Sequence, residues 1–304
     1  MIIGKRLISI LLVLCLTLTL TFCYRKEDGE KEPDKVLVVT TFYPVYIFTL
    51  NLTWGIKEIE VSNMTQQNAG CLHDYRLLTR DMKLLSDADM LVLCGAGMES
   101  FLEEILRQLP ALRTVDSSVG VRLLYESGGV SSHMQTANSH IWMSVKNAII
   151  QVDNICAALK SLCPGYTDEL EKNRTEYTLR LQNLYEEITA FSKEFTGAPI
   201  VSVHNAFGYM AKELSFDAVA QIESESFGEP SARKLGELSK LIKKLGVKAL
   251  FVHPGYTGSA AEILSEETGI PLLILNPITG GDAQLTSYED LMRKNVRTIA
   301  EIYK

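Results

Sequence analysis

The chain has 304 residues, room for two domains of ordinary size, and its 46% hydrophobic and 22% charged content is that of a globular protein. A formal net charge of -7 argues against a nucleic-acid partner, and it is compatible with cation binding without showing it.

At the start, Lys5 and Arg6 precede an apolar run from Leu7 to Leu20 that is short for a membrane span, so residues 1–22 read as a targeting segment. Removing it takes away two cations and no acid, leaving -9. Leu20-Thr21-Phe22-Cys23 resembles a bacterial lipobox, with Phe22 where a small residue is usual. The expectation is a chain anchored outside the cell membrane by a lipid on Cys23; an uncleaved anchor and plain secretion are the alternatives. Residues 23–35, charged and carrying Pro33, read as a tether.

From Val36 the pattern alternates strand and helix. Strands are expected at 36–41, 56–61, 89–94 and 113–116, with helices at 42–51, 77–85 and 98–108 between them. A loop follows over 125–139, then helix over 141–162. The alternation resumes with strands at 200–203, 216–222, 249–252 and 271–275 and helices at 206–214, 231–245, 260–268 and 287–303. Strands separated by helices mean βα units and parallel sheets. No internal sequence repeat is visible.

Between the two sets lies the longest helical stretch, Pro164 to Pro199. Tyr177, Leu181, Leu184, Tyr185, Ile188, Phe191 and Phe195 recur at steps of three and four, one face of a helix. Asp168 is read as its N-cap with Glu171 completing a capping box, and Gly197 and Pro199 as its end. The predicted organisation is an α/β protein of two parallel-sheet lobes, 36–163 and 199–304, joined by a strut helix in 164–198.

Six Cys are present, of which Cys94 ends an apolar strand and reads as core. Cys156 and Cys163 could pair only if the helix ended before Cys163, since two helical turns hold them too far apart. The chain has five His: His73, His133, His140, His204 and His253. His204 and His253 directly follow predicted strands, where α/β sheets place their ligands, while His73 and His140 precede helices. No pair has the short spacing of a local metal motif, and a lone His at a strand end more often serves structure.

Three strings carry more weight together: GCLHDYRLLTRDMKLLSDADMLVLCGAGMESFL around His73, NSHIWMS around His140 and VSVHNAFGYMAKELSF around His204. In this order and at these separations they resemble the zinc and manganese substrate-binding proteins of bacterial ABC importers, the cluster A-I receptors, from about Val36 to Lys304. The resemblance implies two lobes on one long helix and a single divalent metal ion between them, taken up for an ABC transporter permease. It implies metal ligands at His73, His140, His204 and Asn276. Asn276 departs from the Asp usual there, and a neutral amide oxygen is not among zinc's usual ligands. The fourth place is therefore open to Asn276, to water, or to another group such as His253, which stands where the family usually has Glu, or Asp282. Cys71 is a soft donor type near the site, read as a buried thiol. Three imidazoles favour zinc, with manganese as the alternative. Trp142 reads as packing, and Glu229-Pro230 as a helix opening.

A three-His site also serves zinc hydrolases. Here no HExxH or GxSxG string occurs, and Gly95-Ala96-Gly97 is only a fragment of a phosphate loop. The expectation is a binding protein and not an enzyme, monomeric, with a metal-free adhesin-like surface protein on the same fold as the alternative.

Overall fold

The computed structural model describes residues 35–65, 75–125, 137–222, 230–256 and 258–303. In chain order its elements are β1 (Val36–Thr40), α1 (Tyr43–Leu52), β2 (Ile59–Asn63), α2 (Thr79–Asp87), β3 (Met90–Leu93), α3 (Glu103–Gln108), β4 (Arg113–Asp116), α4 (Val145–Leu162), α5 (Thr167–Ser192), β5 (Pro199–Ser202), α6 (Gly208–Glu213), β6 (Asp217–Gln221), α7 (Ala232–Leu245), β7 (Leu250–Val252), α8 (Ser259–Thr268), β8 (Leu272–Ile274) and α9 (Ser287–Tyr303). Short 3-10 turns precede α3, α4, α5 and α6.

The strands form two all-parallel sheets with the same order, β2-β1-β3-β4 and β6-β5-β7-β8. The two lobes thus repeat one topology although the sequence shows no repeat. A parallel strand asks only for an apolar run, which many sequences satisfy. In each lobe the order reverses between the first and third strand, β1/β3 and β5/β7, and that reversal opens a crevice at the carboxyl ends.

In the first lobe the crevice is filled from within. The buried Glu99 carboxylate accepts from Thr41 Oγ1 (2.7 Å), just past β1, and from the amides of Cys94 (2.7 Å) and Gly95 (3.0 Å), just past β3. Gly95, Ala96 and Gly97 all take positive φ, which curls the loop so that its amides face this carboxylate. A side chain on Gly95 would strike Asp116 Oδ1. Burial nevertheless penalises the charge and pushes the Glu99 pKa up to about 6.

Helix α5 carries 26 residues, about 39 Å at 1.5 Å per residue. Leu170, Tyr177, Leu181, Leu184 and Ile188 are buried along it, with Phe195 in the turn beyond. Tyr185 is half-buried and Phe191 exposed, because these positions rotate off the stripe. Asp168 is not the N-cap: the helix starts one residue earlier, out of a 3-10 turn over Pro164–Tyr166. Glu171 does not reach back to close a capping box. It binds Arg174 and Lys160, which hold its carboxyl down at about 2. Arg174 lies one turn along the same helix and Lys160 belongs to α4, so a local and a tertiary ion pair together occupy the side chain in place of the cap.

Helices α1, α4 and α9 all pack on α5, and one apolar core runs through both lobes from Val38 and Phe48 to Phe251 and Tyr303. Each sheet covers its other face with a smaller core of its own. Cys94, Cys156 and Cys163 are buried, and Cys156 and Cys163 are not joined in a disulfide, with helix running through Leu162 and Cys163 as its C-cap.

Glu99 makes the first testable point. Glu99→Gln would aim an amide NH2 at the Gly95 N–H and should lower stability by about 1–3 kcal/mol at pH 7. The native carboxyl binds its proton more tightly folded than unfolded, so its share of stability is complete below about pH 4.5 and is lost as pH rises through 6. Urea denaturation should therefore show the wild-type advantage growing by about 2 kcal/mol on going from pH 7 to pH 4.5.

Candidate metal centre

The second lobe leaves its crevice to histidines. β5 and β7 run in parallel register, Val201 beside Leu250 and Ser202 beside Phe251. Continuing that register past both strand ends sets His204 beside His253, with ring centroids 5.2 Å apart. His253 Nδ1 lies 3.0 Å from the Pro254 carbonyl oxygen. A carbonyl only accepts, so Nδ1 carries the proton and the ring's lone pair sits on Nε2. His204 is arranged the other way: its Nδ1 accepts from the Ala206 amide at 2.9 Å and caps the following 3-10 turn. Neutral His204 then has its proton on Nε2, so ligation through Nε2 requires that cap to open and the proton to cross the ring.

The first lobe supplies His140, fully buried, just before the 3-10 turn Ile141–Met143 that leads into α4. Its ring lies 5.3 Å from His204 and 5.2 Å from Trp142. His140, His204 and His253 thus form a row that begins in one lobe and ends in the other. Among the described residues no three His, Cys, Asp or Glu side chains form a closed set that could hold an ion. His73, Cys71, His133 and Glu229 lie outside the described residues.

Asn276 sits just beyond β8, half-buried. Its Oδ1 accepts from the Ile278 amide at 2.7 Å, closing a tight turn in which buried Ile278 takes φ 56°. Asn295 of α9 holds its backbone from both sides, at 2.8 and 2.7 Å. Its side-chain oxygen is therefore already employed in shaping the turn. The Asp282 carbonyl accepts from Tyr43 Oη (2.8 Å) and Ser287 Oγ (2.9 Å), while its side chain is exposed. Trp142 is buried edge-on against Phe42, and its Nε1 donates to the Pro277 carbonyl at 2.9 Å. It packs the wall of the site and links the two lobes one residue from Asn276.

The His140 and His204 segments are fastened together across the lobe boundary. Glu213, at the end of α6, accepts from Ser144 Oγ (2.5 Å) and from the amides of Val145 (2.7 Å) and Lys146 (3.1 Å), first-turn donors of α4 that no helical carbonyl can take. Burial raises its pKa above the usual carboxylate value. Tyr209 Oη donates to the Asn138 carbonyl (2.8 Å) and accepts from the Leu124 amide (3.0 Å). Asn138 Nδ2 donates to the Asn205 carbonyl (2.9 Å).

Against known proteins, the profile of the family described as zinc-uptake complex component A, periplasmic (ZnuA), matches residues 38–302. The chain belongs to this family. It is 28% identical to the zinc-binding protein AdcA of Streptococcus pyogenes serotype M3 over 87% of its length, and it spans 55% of the length of that relative. It is 27% identical to the high-affinity zinc uptake system protein ZnuA of Bacillus subtilis, with 91% of this chain and 90% of that one covered. Among solved structures it is similar to FpvC from Pseudomonas aeruginosa in complex with Mn2+, at 25% identity and a TM-score of 0.77, covering 88% of this chain and 98% of that one.

The ZnuA-family fold explains why some participants escaped sequence reasoning. Glu213, Tyr209 and Asn205 lie near His204 in the chain, yet they act on the His140 segment, so no local pattern shows them. Asn138 alone had a usable signal, standing two residues before His140. Glu213→Ala leaves the start of α4 and Ser144 without their acceptor, and should cost on the order of 2–4 kcal/mol in chemical denaturation. Glu213→Gln, which keeps one acceptor oxygen, should cost less.

Proposed function

We propose that this ZnuA-family chain captures a divalent cation, zinc, between its lobes on the outer side of the membrane and delivers it to the permease of an ABC importer. The observation that carries this reading is the row of imidazoles, His140 from the first lobe against His204 and His253 from the second, at centroid spacings of 5.3 and 5.2 Å. A ligand pair divided between lobes is a natural device for a receptor that must hold and then release its cargo. In this reading His73, His140 and His204 bind the ion. The fourth place goes to His253, an imidazole that holds its proton on Nδ1 and presents Nε2, ahead of Asn276, whose neutral amide oxygen also accepts from the Ile278 amide and is not among zinc's usual ligands. An imidazole set of this kind suits zinc better than manganese. The family, a component of a zinc-uptake complex, supports a role that binds cargo without turning it over.

Residues 1–22 serve as the export signal in this reading, Cys23 as the lipid attachment, 23–35 as the tether, and 36–163 and 199–304 as lobes on the 164–198 helix, in a monomer. The relatives named for zinc binding and zinc uptake support the cargo.

Elemental analysis and zinc calorimetry on the full chain in detergent test this. One zinc per chain is expected, with affinity falling as acid protonates the imidazoles. His204→Ala and His253→Ala should each weaken binding by roughly 100-fold or more, beyond the loss typical of outer partners. Asn276→Asp should change it little. Tighter binding in Asn276→Asp together with an unaffected His253→Ala would return the fourth place to Asn276. A chain that takes up manganese and no zinc would overturn the choice of cargo, and one that takes up neither would overturn the receptor reading.

A further inference from the structure

The site's less obvious control lies in Asn138, a fully buried residue of the segment leading to His140. Its backbone is pinned on both sides, the amide donating to the Leu124 carbonyl (2.8 Å) and the carbonyl accepting from Tyr209 Oη (2.8 Å). Its side chain touches two backbone groups whose roles are not ambiguous. The His140 amide can only donate, and it lies 2.9 Å from one end of the carboxamide; the Asn205 carbonyl can only accept, and it lies 2.9 Å from the other. The end facing His140 must therefore be Oδ1, and the end facing Asn205 must be Nδ2. The same Oδ1 lies 3.0 Å from His140 Nδ1. An amide oxygen cannot donate, so Nδ1 has to carry the proton, which puts the lone pair of the neutral ring on Nε2.

We infer that Asn138 is a positioning residue for metal capture: it locks His140 in the Nδ1–H tautomer and ties that ring to the His204-bearing loop of the other lobe. This rests on the reading of His140 as a ligand. Histidine ligands commonly have the opposite ring nitrogen fixed by an outer hydrogen bond, and loss of that bond typically costs 10–100-fold in affinity. Here the partner is an amide for a specific reason. A carboxylate could serve His140 equally well, but its other oxygen would face the Asn205 carbonyl, acceptor against acceptor. The space is also closed: a Cβ on Gly208 would come within 3.0 Å of Asn138 Nδ2 and 2.8 Å of Asn205 Oδ1.

Two variants of the full chain separate the roles. Asn138→Ala removes all three side-chain bonds, two to His140 and one to Asn205. Asn138→Asp keeps the acceptor for His140 and loses the link to Asn205. The direct readout is the ring tautomer of His140 from long-range proton–nitrogen spectra of metal-free protein at constant neutral pH, with zinc calorimetry and the visible spectrum of the cobalt-substituted site beside it. Wild type should show Nδ1–H. Asn138→Ala should mix the tautomers, lower zinc affinity by roughly 10–100-fold and alter the cobalt spectrum. Asn138→Asp should retain the Nδ1–H signature and recover most of the affinity, a rescue that a purely structural role would not produce.

An Nε2–H tautomer in wild type overturns the inference whatever the metal data show. So does an Asn138→Ala chain with wild-type tautomer and zinc affinity within twofold. Should Asn138→Ala fail to fold, the wild-type tautomer and the Asn138→Asp rescue still decide. Absence of zinc from wild type would instead sink the receptor reading, which separates the two failures.

Discussion

One apolar stripe organises this molecule. Helix α5 buries Tyr177, Leu181, Leu184 and Ile188 beneath elements of both lobes, and the core built on it has no break between them. A helix of 26 residues cannot bury a stripe that long within one small sheet-based lobe, so the second lobe must complete the cover. The same continuity opposes wide opening of the lobes, since separating them would expose core that is packed as densely as any interior. Trp142, buried in the first lobe and bonded to the Pro277 carbonyl of the second, adds a polar stitch beside the candidate site.

The two sheets share a topology and use it differently. Both reverse strand order at the same place, and both therefore offer a crevice at their carboxyl ends. In the first lobe an internal carboxylate, Glu99, takes the Cys94 and Gly95 amides at that crevice. The candidate ligand of that lobe, His140, comes from the segment before α4. In the second lobe two histidines, His204 and His253, stand at the rim of the crevice in register. One topology thus holds a buried carboxylate in one lobe and a pair of imidazoles in the other.

Around that site the protonation pattern is set by plain hydrogen-bond logic. Backbone carbonyls and amides cannot exchange roles, so each fixes the nitrogen it faces. Pro254 does so for His253, and Asn138, itself fixed by two backbone groups, does so for His140. His204 is the exception, spending its Nδ1 lone pair on the Ala206 amide. Ligation by His204 is thus linked to release of the turn it caps. In the proposed receptor that makes the loop between β5 and α6, and not a hinge between rigid lobes, the element that responds to the cargo.

Much of the fold was written in local chemistry. Helix α7 begins at Ser231, whose side chain accepts from the Lys234 amide, and ends at Gly246 in the left-handed conformation; residue types dictate both. The apolar runs of β1, β3, β5 and β7 and the stripe of α5 are readable for the same reason, since strand and helix periods follow from backbone geometry. The strings around His140 and His204 marked the segments that carry the row of rings. The capping box at Asp168 was misread because Arg174, one turn along the same helix, and Lys160 of α4 both take Glu171, and only the second leaves no trace in spacing. His253 could be placed at a strand end from sequence, but only strand register set it beside His204. The employment of the Asn276 oxygen, the Glu213 clasp and the orientation of Asn138 all depend on which backbone groups the tertiary fold brings within 3 Å. The sequence alone determined the two-lobe plan, because strand and helix periods are local, while the candidate ligands were named by resemblance of the strings around them and not by periodicity. Which lone pairs they present, and to whom, was decided only when distant segments met.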